Sequence, residues 1–262
     1  MPIKRSLKNL YINISNILNK PKNNLYFFYG HYAYLKDKTN EFEVLLEQLH
    51  SYVDFINFDD AIKLLNEGKV SNFDKPTICF SFDDGFKECY THIYPVLKKY
   101  NVNACFFINP NFTIGSEKYI ENFKKEKVHI NKEPMTADMI FEMSNNGFLF
   151  GSHTLNHANL SGLDDATLYK ELKESKEWLE NFLGLPCDYF AWPYGGIQHI
   201  NENALKISLQ IYPYVFSAIR SRNYFFKENR NVINRDHFEG FWRASHIKYF
   251  ISQVKTWNFD IR

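Results

Sequence analysis

Two short stretches of this chain hold residues that could do chemistry together: Ser81-Phe82-Asp83-Asp84-Gly85 and, further along, His153-Thr154-Leu155-Asn156-His157. Each closes an apolar run that reads as a buried strand. The first offers adjacent carboxylates, the second two imidazoles four residues apart. A catalytic metal needs about three protein ligands and an open position for water or substrate, and Asp84, His153 and His157 form such a set. One turn of chain is enough to aim both histidines at a single ion. Asp83 cannot readily point at the same position, so it stays free to take a proton from a water whose pKa a bound ion lowers from 15.7 to about 7. Singly, Asp83-Asp84-Gly85 is an ordinary helix cap and turn, and the histidines an ordinary surface or core pair. Their joint placement at two strand ends makes metal-assisted hydrolysis the leading expectation. Two imidazoles and a carboxylate suit Zn²⁺ and leave Co²⁺, Ni²⁺, Fe²⁺ and Mn²⁺ open.

The elements that must position these residues alternate. Leu25 to Tyr29, Tyr52 to Phe58, Thr77 to Phe82, Asn103 to Ile108, Phe148 to Gly151, Tyr189 to Trp192, Tyr214 to Ile219 and Val232 to Ile233 read as strands. Between them, Glu41 to Leu49, Asp59 to Glu67, a stretch through Tyr94 to Tyr100, a helix capped by Thr136, and a long helix capped by Asp164 or Asp165 and stopped by Gly184 carry helical signals. Such alternation with continuous apolar strands implies an α/β fold, a parallel sheet surrounded by helices. Active sites in these folds lie beyond the carboxyl ends of the strands, where Asp84, His153 and Pro193-Tyr194 all fall. Residues 115–135, rich in Lys and Glu without clear period, read as an inserted loop able to shape a substrate groove.

Composition bounds the rest. A chain of 262 residues can bury a substantial core. Its formal net charge of +1 offers nucleic acid no global field to exploit, so no nucleic-acid partner is expected. Cys79, Cys89, Cys105 and Cys187 show no paired spacing and read as small buried hydrophobes. Residues 1–24 read as a helical extension before a domain over 25–262, with Leu7, Leu10, Tyr11, Ile14, Ile17 and Leu18 on one face. That face is expected to pack on the domain, with peripheral membrane contact as the alternative. Polar residues interrupt Leu7 to Leu18 where an export signal would be apolar, and no stretch suits a transmembrane span. The expected location is cytoplasmic.

The same residues resemble a family. Ser81 to Gly85 matches the T/S-F-D-D-G motif of the polysaccharide deacetylases, the NodB-homology group or carbohydrate esterase family 4. His153 to His157 matches their H-S/T-x-x-H motif, and Phe190-Ala191-Trp192-Pro193-Tyr194-Gly195 resembles a third, F-A-Y-P-Y-G. The clear resemblance covers about 76–220, with a weaker one over Phe27 to Lys69. It implies a distorted, incomplete (β/α) barrel that removes an N-acetyl, sometimes O-acetyl, group from a sugar. It also implies Asp83 as general base, Asp84, His153 and His157 as metal ligands, and the Tyr194 backbone N–H as an oxyanion donor.

Two departures stand out. Members often carry a third-motif Arg that tethers the base, where this chain has Ala191 and Trp192; Arg235, from another loop, is the candidate substitute. Members also often carry a late Leu-x-His whose histidine protonates the leaving amine. No clean copy exists here, and His237 is the first candidate, with Asp236 beside it to orient the ring. His246 and a water remain alternatives, and His31 is expected at the rim in a structural or substrate-side role. The expected function is a metal-dependent deacetylase of an N-acetylated sugar or glycan intermediate of surface polysaccharide biosynthesis. A catalytically inactive carbohydrate-binding protein and a deformylase or other amidase are the alternatives.

Overall fold

A computed structural model describes residues 11–12, 15, 20–35, 40–221 and 223–252. Its centre is a parallel sheet of nine strands: β1 (Leu25–Gly30), β2 (Asp54–Phe55), β3 (Thr77–Phe82), β4 (Ala104–Ile108), β5 (Leu149–Ser152), β6 (Tyr189–Ala191), β7 (Tyr214–Phe216), β8 (Val232–Ile233) and β9 (Asp236–His237). The main path runs β8-β7-β6-β5-β4-β3-β1-β9, with β2 paired to β3. β8 and β9 are the two outer strands of that path, yet only Asn234 and Arg235 separate them in sequence. The three steps from Ile233 to Asp236 can span only about 11 Å, so the sheet must curl until its edges nearly meet. The result is the distorted, incomplete barrel, shut along one seam by covalent chain rather than by ladder hydrogen bonds.

Period-two alternation sorts the side chains. Phe27, Cys79, Cys105, Phe107, Ala191, Phe216 and Ile233 fill the barrel interior. Phe28, Ile78, Phe80, Phe106, Phe190 and Val215 face outward into the layer under the helices. All four cysteines are free and buried, as small core residues. The helix Ala137–Asn145 starts where the Thr136 hydroxyl accepts the Met139 N–H. The longest helix, Asp165–Leu183, starts on the Asp164 carboxylate and ends at left-handed Gly184.

Three expectations need correction. The strand expected over Tyr52 to Phe58 shrinks to Asp54–Phe55, because Phe58 already begins a helix whose first N–H is taken by Asn103. The expected loop over 115–135 holds the helix Glu117–Asn122 and a π-helical turn Phe123–Lys127, preceded by a helix at Pro110–Ile114. These segments fold around a small core of their own, Phe86, Phe112 and Phe123. Too few apolar residues supply that core to produce a readable period. Helices at Glu202–Ile211 and Ala244–Ser252, and strand β9, join the expected set.

Most of the expected extension over 1–24 lies outside the described residues; Ile12 is buried and the Tyr11 ring packs edge-on against Tyr249. Among the described residues no helix is long and apolar enough to cross a membrane.

Candidate active site

The site grows out of the carboxyl ends of β1, β3, β5 and β6. After β3 the Asp83 N–H donates to the Gly30 carbonyl, and the chain turns through positive φ at Asp84 (71°) and Gly85 (76°). That turn sends adjacent carboxylates different ways. Asp83 follows the interior column of Cys79 and Ser81 and meets Arg235, whose two terminal nitrogens lie 2.8 and 2.9 Å from the two Asp83 oxygens. The guanidinium is fully buried and also donates to Ser81 Oγ and the Ser217 carbonyl. Burial alone would raise the Asp83 pKa, but the charges of Arg235 and His153 and the Arg235 hydrogen bonds hold it below the ordinary carboxylate range.

Asp84 turns toward the histidines. Its Oδ1 is buried with no aligned donor on it, and the nearest groups are His157 Nε2 at 3.2 Å and His153 Nε2 at 3.6 Å. Burial pushes its carboxyl up, and His157, His31 and His153 outweigh that and hold it well below the usual range. His153 Nδ1 lies 2.6 Å from the Ala191 carbonyl, which can only accept, so this nitrogen carries the proton and Nε2 presents its lone pair. Burial lowers the His153 pKa to about 4, keeping the ring neutral as a metal ligand requires.

One donor atom from each of Asp84, His153 and His157 lies within 4.8 Å of the others. An orphaned buried carboxylate oxygen facing two imidazole nitrogens, one with its tautomer fixed by a backbone carbonyl, fits a divalent cation. These three residues would hold it.

The loop carrying the two histidines is held from outside. Thr154 and His157 have φ of 63° and 53°, a conformation that costs side-chain-bearing residues about 1–3 kcal/mol each unless surroundings impose it. Glu171, on the long helix, imposes it: its carboxylate accepts the Asn156 N–H at 2.9 Å and the Asn156 amide at 2.7 Å, and its carbonyl accepts the Leu155 N–H. Phe123, from the segment that had read as a loop, packs edge-on against the His157 ring.

The cavity over these groups has a volume of about 200 Å³ and is lined by Asp83, Asp84, His153, His157, Tyr194, His31 and Tyr32, with Lys127 and Val128 at the side. Tyr194 has φ of 62°, its ring lies 4.6 Å from the His157 ring, and no backbone carbonyl takes its N–H among the described residues. The next residue must be glycine: a Cβ at Gly195, φ 57°, would sit 1.9 Å from the Ala218 Cβ.

The candidate acids sort differently from the expectation. Asp236 does not orient His237. It faces away and pairs with Arg220 at 3.0 Å, because successive residues of β9 point to opposite faces. The carboxylate on His237 is Glu239, 2.9 Å from Nε2, and its same oxygen lies 2.9 Å from His31 Nδ1. Of the two rings, His31 lines the cavity. Burial works against the His31 cation, yet the Glu239 hydrogen bond and charge raise its pKa to about 9. Glu239 itself is pushed up by burial and pulled down further by His237 and His31, to about 2. His246 sits on the last helix with its ring against Trp242. Glu239 escaped the sequence reading, since nothing in Phe238-Glu239-Gly240 separates it from a surface carboxylate.

The geometry and the comparisons agree on a class. The chain belongs to the polysaccharide deacetylase family, whose model matches residues 70–211. Among individual proteins, it is similar to the poly-β-1,6-N-acetyl-D-glucosamine N-deacetylase of Staphylococcus aureus, 26% identical over 180 residues that cover 66% of this chain and 59% of that protein. It is 29% identical over 174 residues to YxkH of Bacillus subtilis, provisionally named a polysaccharide deacetylase, covering 66% of this chain and 54% of the relative. The chain thus spans little more than half the length of these curated relatives. Among solved structures, the Streptococcus pyogenes deacetylase PplD in complex with acetate superposes with a TM-score of 0.67 at 18% identity, over 89% of this chain and all of that one. IcaB from Ammonifex degensii gives 0.67 at 20% identity over 83% and 93%. At such identities these structures establish the shared fold.

Proposed function

We propose that this protein is a metal-dependent hydrolase that removes the N-acetyl group from a sugar of a glycan or glycan intermediate. The observation that carries this is the placement of Asp83, tethered by Arg235, beside the convergent Asp84, His153 and His157 in one cavity. A cation held there supplies Lewis-acid polarisation of the acetyl carbonyl and acidifies water. Zn²⁺ suits the donor set best. The low pKa of Asp83 keeps it ionised, and Arg235 fixes its orientation so that it can accept the proton of the attacking water. The Tyr194 N–H, taken by no backbone carbonyl among the described residues of a turn that lines the cavity, donates to the oxyanion of the tetrahedral intermediate in this reading. His31, held protonated by Glu239, gives its proton to the leaving amine and so takes the role first assigned to His237.

The inactive-protein alternative rested on the missing third-motif Arg and on an unidentified acid. Arg235 occupies the tethering position, and His31 with Glu239 supplies an acid. The named substrate of the staphylococcal relative supports a polymer of N-acetylglucosamine, or an intermediate of its synthesis, as substrate class. Acetate release from β-1,6-linked N-acetylglucosamine oligomers tests this reading, with formate release from N-formylated analogues run alongside. Acetate as the faster product supports it. Formate alone, or neither product from any acylated sugar, would reject it.

A further inference from the structure

We propose that His31 Nδ1, His237 Nε2 and Glu239 Oε1 form a second site for a divalent transition cation, distinct from the Asp84 cluster, and that loading it slows turnover. The three donor atoms lie within 4.8 Å of one another, and each imidazole nitrogen is 2.9 Å from the carboxylate oxygen. Tetrahedral zinc, with bonds of roughly 2.0–2.1 Å, keeps its donors on the order of 3.3 Å apart, so small adjustments admit an ion. The backbone prearranges this. β9 pairs with β1 so that His237 stands opposite Tyr29, two residues before His31, and Glu239 follows two residues after His237.

Glu239 is also supported as metal-binding carboxylates are. Its Oε2 accepts the N–H groups of His31, at 3.1 Å, and Tyr32, at 2.8 Å, which aims Oε1 at the two imidazoles. The carboxylate is buried while both rings are partly open, leaving a coordination position toward solvent. Two imidazoles and one carboxylate select zinc, nickel, cobalt or copper over magnesium and calcium. An ion here must break the contacts that join His31 Nδ1 and His237 Nε2 to Glu239 Oε1, whereas Asp84 Oδ1 has no such hydrogen bond to lose. The second site is therefore the weaker of the two.

Binding needs only these three side chains and does not depend on the proposed reaction. The effect on turnover does rest on that reading. His31 lines the catalytic cavity, and a ring ligated through Nδ1 can release its remaining proton only as an imidazolate, a far poorer acid.

Zinc titration of the metal-free full chain, followed by calorimetry and by elemental analysis after dialysis, is the test. The wild type should take up two equivalents of unequal affinity. His153→Ala should lose the tight one and keep the weak one, and His237→Gln should keep the tight one and weaken the other by about tenfold or more. Excess zinc should slow the wild type and leave His237→Gln turning over at its own metal-sufficient rate. A wild type that binds only the equivalent lost in His153→Ala, or a weak equivalent indifferent to His237→Gln, overturns the site. Zinc bound there without slowing turnover overturns its link to the reaction. In a zinc-soaked wild-type crystal, an anomalous peak among the three atoms is expected, and a second ion bound elsewhere contradicts the proposal without any variant. Retention of the weak equivalent with no tight one would sustain this site and count against the Asp84 cluster instead.

Discussion

Arg235 grips both oxygens of Asp83 from the two-residue span that joins β8 to β9, at the seam where the barrel fails to close. The seam is thus where an Arg can enter the barrel interior from outside the third motif and hold Asp83. Ile233 and Cys79 face the barrel interior, and Arg235, two residues beyond Ile233, meets Ser81 and Asp83, two and four beyond Cys79, so the pairing follows from strand parity.

Arg235→Lys should lower turnover by about 10- to 100-fold with the metal content unchanged, because an ammonium cannot span both oxygens. Arg235→Met leaves Asp83 buried without its partner and should cost about 3–5 kcal/mol of stability. Urea melts and steady-state acetate release measure the two effects. An Arg235→Lys enzyme as fast as wild type would remove the positioning role.

The acid makes a prediction about pH. The folded-state pKa of His31, about 9, lies above the roughly 6.5 of a free imidazole. The stability contributed by the His31–Glu239 pair is therefore fully present below about pH 6.5 and is lost as pH rises through about 9. Turnover should fall on the same alkaline side, as His31 loses the proton it donates. Glu239→Gln should move that alkaline limb to lower pH. A pH–rate profile whose alkaline limb stays in place in Glu239→Gln would count against His31 as the acid.

Glu171 touches no ligand, yet it clamps the loop that carries them. Glu171→Gln should weaken cation binding by about tenfold while leaving turnover per bound metal near that of wild type. Metal titration alongside acetate release separates these quantities. Equal loss of turnover at saturating metal would show that Glu171 acts on the reaction itself.

Much of this was legible in the residues. Continuous apolar strands separated by helical periods specified the parallel sheet, and Asp83, Asp84, His153 and His157 stood at strand ends because parallel topology puts all carboxyl ends on one side. What escaped the sequence was pairing at a distance. Arg235 was a candidate tether, but its bond to Asp83 depends on the sheet curling until β9 reaches β1. The Glu239 bridge depends on the same closure, and in sequence Asp236 is the nearer carboxylate to His237. Strand alternation, which turns Asp236 outward, was available as a signal; a two-residue strand was too short to announce it. The helices over 110–127 were hidden because three phenylalanines form their core.

The most direct test concerns the cation. Wild-type protein stripped with chelator should lose acetate release from N-acetylated glycan oligomers by at least about 100-fold and regain it with one equivalent of Zn²⁺. Asp84→Asn, treated identically, should not recover at that zinc concentration. Turnover that survives thorough stripping, or full recovery in Asp84→Asn, would contradict the account.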